Sequence, residues 1–334
     1  MDNSKKFLDE VFFPYLRENN ITTVIHCGDL VDRRKFINYY TASRLRTDFL
    51  KPLKDMNIDC HFIVGNHDCH YKSTNLINSM SELIDGKFDN IKIYTGPEEI
   101  ELGGCKLAMI PWINDENRID TMELIKTTQA QIAIGHLELA GFEMHRGSMV
   151  SQGDDVATFD KFDIVLTGHY HHRSTNGSIF YLGSHAEFTW SDYDDDRGFH
   201  VFDLATRQLQ FIKNPFTLFT KTWYNDSDIT LTSIVQMDYS IFKNKIVKVI
   251  VTEKNNPHWF DIFANKIEAA GAIDLQIVED HLNLNLEDDE DIVDEAESTM
   301  DIFKKYIRGN ELGVDNILLE EVISSLYAEA MTLQ

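Results

Sequence analysis

His61 to Tyr71 reads HFIVGNHDCHY, and this stretch decides how the rest of the chain is read. It opens as an apolar strand, Phe62-Ile63-Val64, and breaks at once into Gly65-Asn66-His67-Asp68. Turn chemistry accounts for Gly and Asn, but it does not call for His and Asp directly behind them. In α/β sheets the carboxyl ends of strands are where ligands sit. A glycine there lets the backbone turn sharply and carries the next side chain over the strand end.

The same build occurs three more times. TTVIHCG (22–28) runs into Gly28-Asp29-Leu30-Val31-Asp32, AQIAIGH (130–136) ends in His136, and FDIVLTGH (162–169) runs into Gly168-His169-Tyr170-His171-His172. Singly, a GD or GN after a strand is a turn, and a lone His is a satisfied core histidine. Four strand ends bearing Asp29, Asp32, Asn66, His67, Asp68, His136, His169, His171 and His172 point to one shared site. His169 and His171, two residues apart in an extended segment, face the same way.

Between these clusters the period alternates. Helical spacing covers 4–19, with Phe7, Leu8, Val11, Phe12 and Leu16 on one side, then 41–56 and 116–128. Further strands are expected at 91–95, 105–111, 178–183, 198–204 and 207–213. The fold class this predicts is α/β, a β-sandwich flanked by helices. Past residue 220 the pattern resets: KIVKVIVTE (245–253), a helix over 257–271 and AIDLQIVED (272–280) form a small β-α-β unit. An acidic linker, NLEDDEDIVDEAE (285–297), precedes a helical segment at 298–334. The expected domains are a core at 1–220, a capping unit at 221–283, a linker at 284–297 and a helical tail at 298–334.

Composition narrows the class. The 334 residues carry a formal charge of −24, which weighs against a non-specific nucleic-acid binder without excluding a DNA reading. No window approaches the roughly 18 uninterrupted apolar residues of a membrane span. The four cysteines show no paired spacing and read as reduced thiols of a cytoplasmic protein.

The clusters mix imidazole, carboxylate and amide oxygen and lack thiolate. That donor set suits Mn²⁺, Fe or Zn²⁺ better than Ca²⁺, with Mn²⁺ preferred for an octahedral N/O site and Mg²⁺ as the substitute. An aspartate bridging two ions about 3.5–4 Å apart is the usual geometry of two-metal phosphate-ester hydrolysis. His67, one residue past a ligand, could protonate the leaving oxygen.

The order GD…GNHD…GH…GHxH resembles the calcineurin-like metallophosphoesterase superfamily, and within it the SbcD-type DNA-repair nucleases, phage members most of all. IPW (110–112), GHLELAGF (135–142) and YLGSHAEFTWSDYDDDRGFHVFD (181–203) carry the finer likeness, which runs from about residue 5 to the C-terminus. The resemblance implies that Asp29 bridges two metals, that Asn66, His136 and His169 complete one site, that His171 belongs to the other, and that His67 is the catalytic histidine. Asp32 and Asp68 are accessory candidates. The implied activity is 3′→5′ exonuclease action on duplex ends and endonuclease action on single strands, in DNA repair or recombination.

One departure stands out. Such nucleases open with a strand ending in Asp-x-His, and this sequence shows none. The expectation is that Met1 is an internal methionine of a longer product, the alternative being a degenerate subunit. The likeness also implies a hetero-oligomer with an SbcC-type ABC ATPase bearing a coiled coil, docked through Leu319, Val322, Ile323 and Leu326, with DNA and a second copy of the chain as further partners. Phage-like features imply the host cytoplasm. Trp259 of the capping unit is expected in that unit's own core. The competing readings are a scaffold that cuts nothing and a different phosphoesterase, such as a phosphatase or nucleotide phosphodiesterase.

Overall fold

The computed structural model describes residues 2–227 and 229–279. The linker 284–297 and the segment 298–334, with Leu319, Val322, Ile323 and Leu326, lie outside the described residues.

The chain starts with a helical run of three pieces: α1 (Asp2–Phe7), a π-helical turn (Leu8–Phe12) and α2 (Phe13–Glu18). Phe7, Phe12, Phe13 and Leu16 are its buried residues, so the expected amphipathic helix forms and docks by its aromatic side. Strand β1 (Thr23–His26) follows. Next come α3 (Tyr39–Leu45), a second π-helical turn (Arg46–Leu50), α4 (Lys51–Asp55) and β2 (Asp59–Ile63). Beyond the short α5 (Ser79–Ile84), β3 (Ile91–Tyr94) completes a three-stranded sheet in the order β1-β2-β3, all parallel.

The second sheet has six strands. Strands β4 (Glu98–Leu102) and β5 (Cys105–Ile110) form a hairpin, helix α6 (Arg118–Thr127) crosses over, and β6 (Ile132–His136) pairs parallel to β5. A small hairpin, β7 (Glu143–His145) and β8 (Ser148–Met149), precedes β9 (Ile164–Gly168). Then come β10 (Ser174–Asn176) and β11 (Ile179–Tyr181). The order is β10-β11-β9-β6-β5-β4, parallel in the middle and antiparallel at both edges.

Side-chain alternation builds the layers. On β5, β6 and β9 the residues Leu107, Met109, Ile132, Ile134, Ile164 and Leu166 meet Ile63 and Tyr94 of the first sheet in one buried cluster. Their neighbours Ala108, Ala133 and Val165 point the other way, into a cluster with Ile125 of α6. Cys60, Phe62 and Val64 likewise pack on the helices that hold Phe7, Leu16, Leu53 and Ile84. Both faces of each central strand are therefore buried, which is why these strands read as unbroken apolar runs. The result is a sandwich of two sheets between helices, as expected for the fold class.

Strands β12 (Gly198–Phe202) and β13 (Leu209–Lys213) pair as a ribbon, and Phe199 meets Phe7, Phe12 and Tyr15 of the opening helical run. The unit past residue 220 is larger than the β-α-β expected. Strand β14 (Phe219–Asn225) joins β15 (Ile246–Glu253) and β16 (Asp274–Glu279) in a parallel sheet, with α7 (Leu231–Gln236) and α8 (Pro257–Ala269) in the intervening chain. Trp259 packs half-buried against that unit's core, beside Phe260, Phe263 and Ile267.

Candidate metal centre

Each of the four polar clusters sits at the carboxyl end of a parallel strand, β1 and β2 in the first sheet and β6 and β9 in the second. They can meet because glycines leave room. Gly28 adopts φ +96°, and a Cβ there would collide with the His136 ring; a Cβ on Gly65 would collide with the Asp29 carboxylate. Asp29 itself has φ 56° and His169 φ 92°. Left-handed backbone at a β-carbon-bearing residue costs about 1–3 kcal/mol, and such strain concentrates where a site requires it.

The atoms brought together can all act as lone-pair donors. His136 is fully buried, and its Nδ1 donates to the Cys27 carbonyl at 2.7 Å. That tautomer leaves a lone pair on Nε2, which faces Asn66 Oδ1 at 2.8 Å and Asp29 Oδ2 at 3.3 Å. His169 Nδ1 lies 3.1 Å from the same Asn66 oxygen. Ligand atoms of Asp29, His136 and His169 lie within 4.8 Å of one another, and among the described residues this is the group so arranged. With His136 Nε2 and His169 Nδ1 unprotonated, all four atoms face one another as acceptors, and a cation placed among them satisfies all four. The donor set therefore fits a divalent metal ion.

The charges of Asp29 and His136 support each other, and a bound cation would take the place of the proton between them. Burial opposes charge on Asp29, but the His136 and His67 rings beside it hold its carboxyl well below the usual carboxylate range. Burial likewise opposes the His136 proton, and the Asp29 carboxylate outweighs it, raising that ring. Burial, reinforced by the neighbouring His136, pushes His169 down to about 3, so it offers a neutral ring. Trp112 walls this corner, with its ring centroid 5.3 Å from His169 and 6.1 Å from His136.

Asp68 and Asp32 have other placements. Asp68 is fully buried and accepts backbone N–H bonds from Asp29 (2.8 Å), Leu30 (3.0 Å), Val31 (3.3 Å) and Gly65 (2.9 Å), plus the Ser79 hydroxyl (3.2 Å). It staples the loop after β1 to the loop after β2. Burial and the nearby Asp29 charge push its carboxyl up to about 7. Asp32 turns its carboxylate to solvent beside Arg33, and it is its backbone carbonyl that matters: His67 Nδ1 donates to it at 2.6 Å. The His67 backbone N–H in turn donates to Asp29 Oδ1 at 2.8 Å.

His171 stands apart from the Asp29 group. Its Nδ1 lies 3.6 Å from Asp192 Oδ1, and its backbone carbonyl accepts from Arg197. Arg197 is buried and spans Asp192 (3.0 Å) and Asp195 (2.8 Å), while His172 pairs with Asp195 at 2.7 Å. Residues 192–197 are thus the frame that positions the His171–His172 segment. Sequence reasoning singled out this acidic stretch and IPW only as points of likeness, without a role for Asp192, Arg197 or Trp112. The run of acids closed by an arginine was the available signal.

A sandwich whose strand ends converge on an Asp-Asn-His-His group is the architecture of a metal-dependent phosphoesterase, and this chain belongs to the calcineurin-like phosphoesterase family, whose model matches residues 2–173. It is 33% identical to exonuclease subunit 1 of enterobacteria phage T4 over 319 residues, 95% of this chain and 90% of that protein. It is 22% identical to the SbcD component of nuclease SbcCD from Staphylococcus epidermidis over 242 residues, 61% of each chain. A solved structure described as a novel archaeal phosphodiesterase is 14% identical at a TM-score of 0.30, covering 60% of this chain and 88% of that one, a likeness too slight to bear on the fold. Among the described residues, no helix is long and apolar enough to cross a membrane.

Proposed function

We propose that this chain is the nuclease subunit of a DNA recombination and repair complex, hydrolysing phosphodiesters with Mn²⁺ or Mg²⁺. The observation that carries the reading is the convergence of Asp29, Asn66, His136 and His169 lone pairs beside His67. The two nuclease subunits to which the chain is similar support DNA as the substrate.

In this reading Asp29, Asn66, His136 and His169 hold the ion, and His171 serves a neighbouring position. A bound divalent cation supplies the positive charge that polarises a phosphoryl oxygen. Asp68 holds the Asp29 loop in place through its four backbone bonds. His67, its ring oriented by the Asp32 carbonyl, delivers a proton to the leaving oxygen or stabilises its charge. Residues 221–283 form a cap that orients DNA. The segment at 298–334, through Leu319, Val322, Ile323 and Leu326, docks on a coiled-coil ABC ATPase.

Two assays test this. Mn²⁺-dependent hydrolysis of bis(p-nitrophenyl) phosphate and of labelled DNA is expected for the wild type, with both lost in Asp29→Ala together with Mn²⁺ binding measured by equilibrium dialysis. Exclusive action on p-nitrophenyl phosphate would overturn the nuclease reading in favour of a monoesterase. Dialysis showing Mn²⁺ retained by Asp29→Ala would overturn the ligand assignment.

A further inference from the structure

Directly after the Asp29 loop the chain runs RRKFINYYTASRLR (33–46), which holds five cations and no carboxylate. This is anomalous in a chain with 55 acidic and 31 basic residues. The aromatic side chains of the same stretch face solvent: Phe36 is 63% exposed, Tyr39 94% and Tyr40 63%. Large aromatics this exposed and this close together mark an interaction surface. Arg33, Lys35 and Arg46 are exposed beside them.

Two of the rings are pre-set. Arg33 lies over Phe36 at 5.3 Å, and Arg44 both lies over the Tyr40 ring at 5.6 Å and donates to its hydroxyl at 2.7 Å. Arg44 is itself held by Asp48. Tyr39 begins helix α3, whose first turn is capped by Asn38 accepting from the Thr41 N–H at 2.8 Å. The stretch is anchored to the metal centre at its near end, where the Asp32 carbonyl holds His67 and the Leu30 and Val31 N–H groups bind Asp68.

We infer that residues 33–46 are a platform for single-stranded nucleic acid, with bases stacked on Phe36, Tyr39 and Tyr40 and phosphates met by Arg33, Lys35 and Arg46. Exposed rings interleaved with cations are the chemistry by which single strands are held, because every base has a π-face and unpaired bases alone present it. A duplex would offer its phosphates to the cations but keep its bases from the rings. The inference rests on the nuclease reading and specifies its substrate: the strand passing over this platform towards Asp29 is unpaired. The three exposed rings, not the charge, argue against an acidic protein partner as the occupant, since the cations alone would serve such a partner.

The test uses the full chain in EDTA, so that nothing is cut, with fluorescence anisotropy of a fluorescein-labelled dT20 and of a blunt duplex of equal length. Phe36→Ala/Tyr39→Ala/Tyr40→Ala is expected to weaken dT20 binding by about ten-fold or more, with far less effect on the duplex. Arg33→Gln/Lys35→Gln is expected to flatten the log-affinity against log-salt slope for dT20 by about 1.4, at ~0.7 for each phosphate no longer neutralised. Circular dichroism confirms that these surface variants are folded. Unchanged dT20 affinity in the triple variant would overturn the platform and give the patch to a protein partner. Equal loss on dT20 and duplex would overturn stacking as its basis, and a wild type that binds no dT20 would overturn it outright. Failure here leaves the metal-centre reading intact, which is judged separately by wild-type hydrolysis of bis(p-nitrophenyl) phosphate.

Discussion

His67 and Asp68 are adjacent in sequence and opposite in character. His67 is half-buried with its ring fixed by one carbonyl, while Asp68 is sealed beneath it and spends its oxygens on backbone donors. His67→Asn should therefore lower kcat on a phosphodiester by roughly 10²–10⁴-fold with Mn²⁺ binding retained, as steady-state kinetics and dialysis would show. Asp68→Asn should act on the fold instead. It sets an amide NH₂ against buried N–H donors, so urea denaturation should report a loss of about 3 kcal/mol. The residues of the centre were legible because a glycine preceded each and because turn chemistry left His67 unexplained. What was not legible was the division of labour. A carboxylate that faces the histidines and one that staples backbone look alike in a sequence, and only the partners distinguish Asp29 from Asp68. His171 poses the same problem, since its position depends on Asp192 and Arg197, some 20 residues further on.

At the level of elements, the central strands were legible for a physical reason: buried on both faces, they are apolar throughout. Strand β4, EEIEL, escaped because it is an edge strand with three glutamates. Helix α5 escaped because six residues give too little periodicity to register. Strand β14, FTKTWYN, alternates in the manner of a strand, but it straddles the residue-220 boundary drawn from the change in pattern. The opening helices carry a pH prediction. His185 stacks on Phe7 at 5.8 Å and meets Phe188 edge-on at 5.4 Å. Burial, with the His171 ring adding to it, pushes it down to about 4. A buried histidine with a lowered pKa stabilises the fold fully above its unfolded value of about 6.5, and that stability is lost as pH falls towards 4. Between pH 6.5 and 5 the loss should reach about 1.5 kcal/mol from this group. Denaturation midpoints at the two pH values should converge in His185→Phe relative to the wild type.

Across the whole molecule, the net charge of −24 is unevenly spread. The acidic run at 285–297 and the cationic stretch at 33–46 pull in opposite directions, so bulk charge is a poor guide to what the protein binds. Truncation after residue 296 should leave Mn²⁺-dependent phosphodiester hydrolysis intact and abolish co-purification with a coiled-coil ATPase. Binding that survived truncation would show that the docking surface lies elsewhere. Of the four proposed ligands, Asp29 and Asn66 follow strands of one sheet, while His136 ends one strand of the other and His169 follows a second. An ion held by all four would act as a rivet between the two halves of the sandwich. At about 100 times its dissociation constant it would add roughly 2.7 kcal/mol to stability, so chelation should lower Tm by several degrees in a calorimetric scan. Such an ion would also make the centre a strain gauge: a load that slid one sheet against the other would stretch its bonds, so shear applied at a distant surface would reach the groups that hold it.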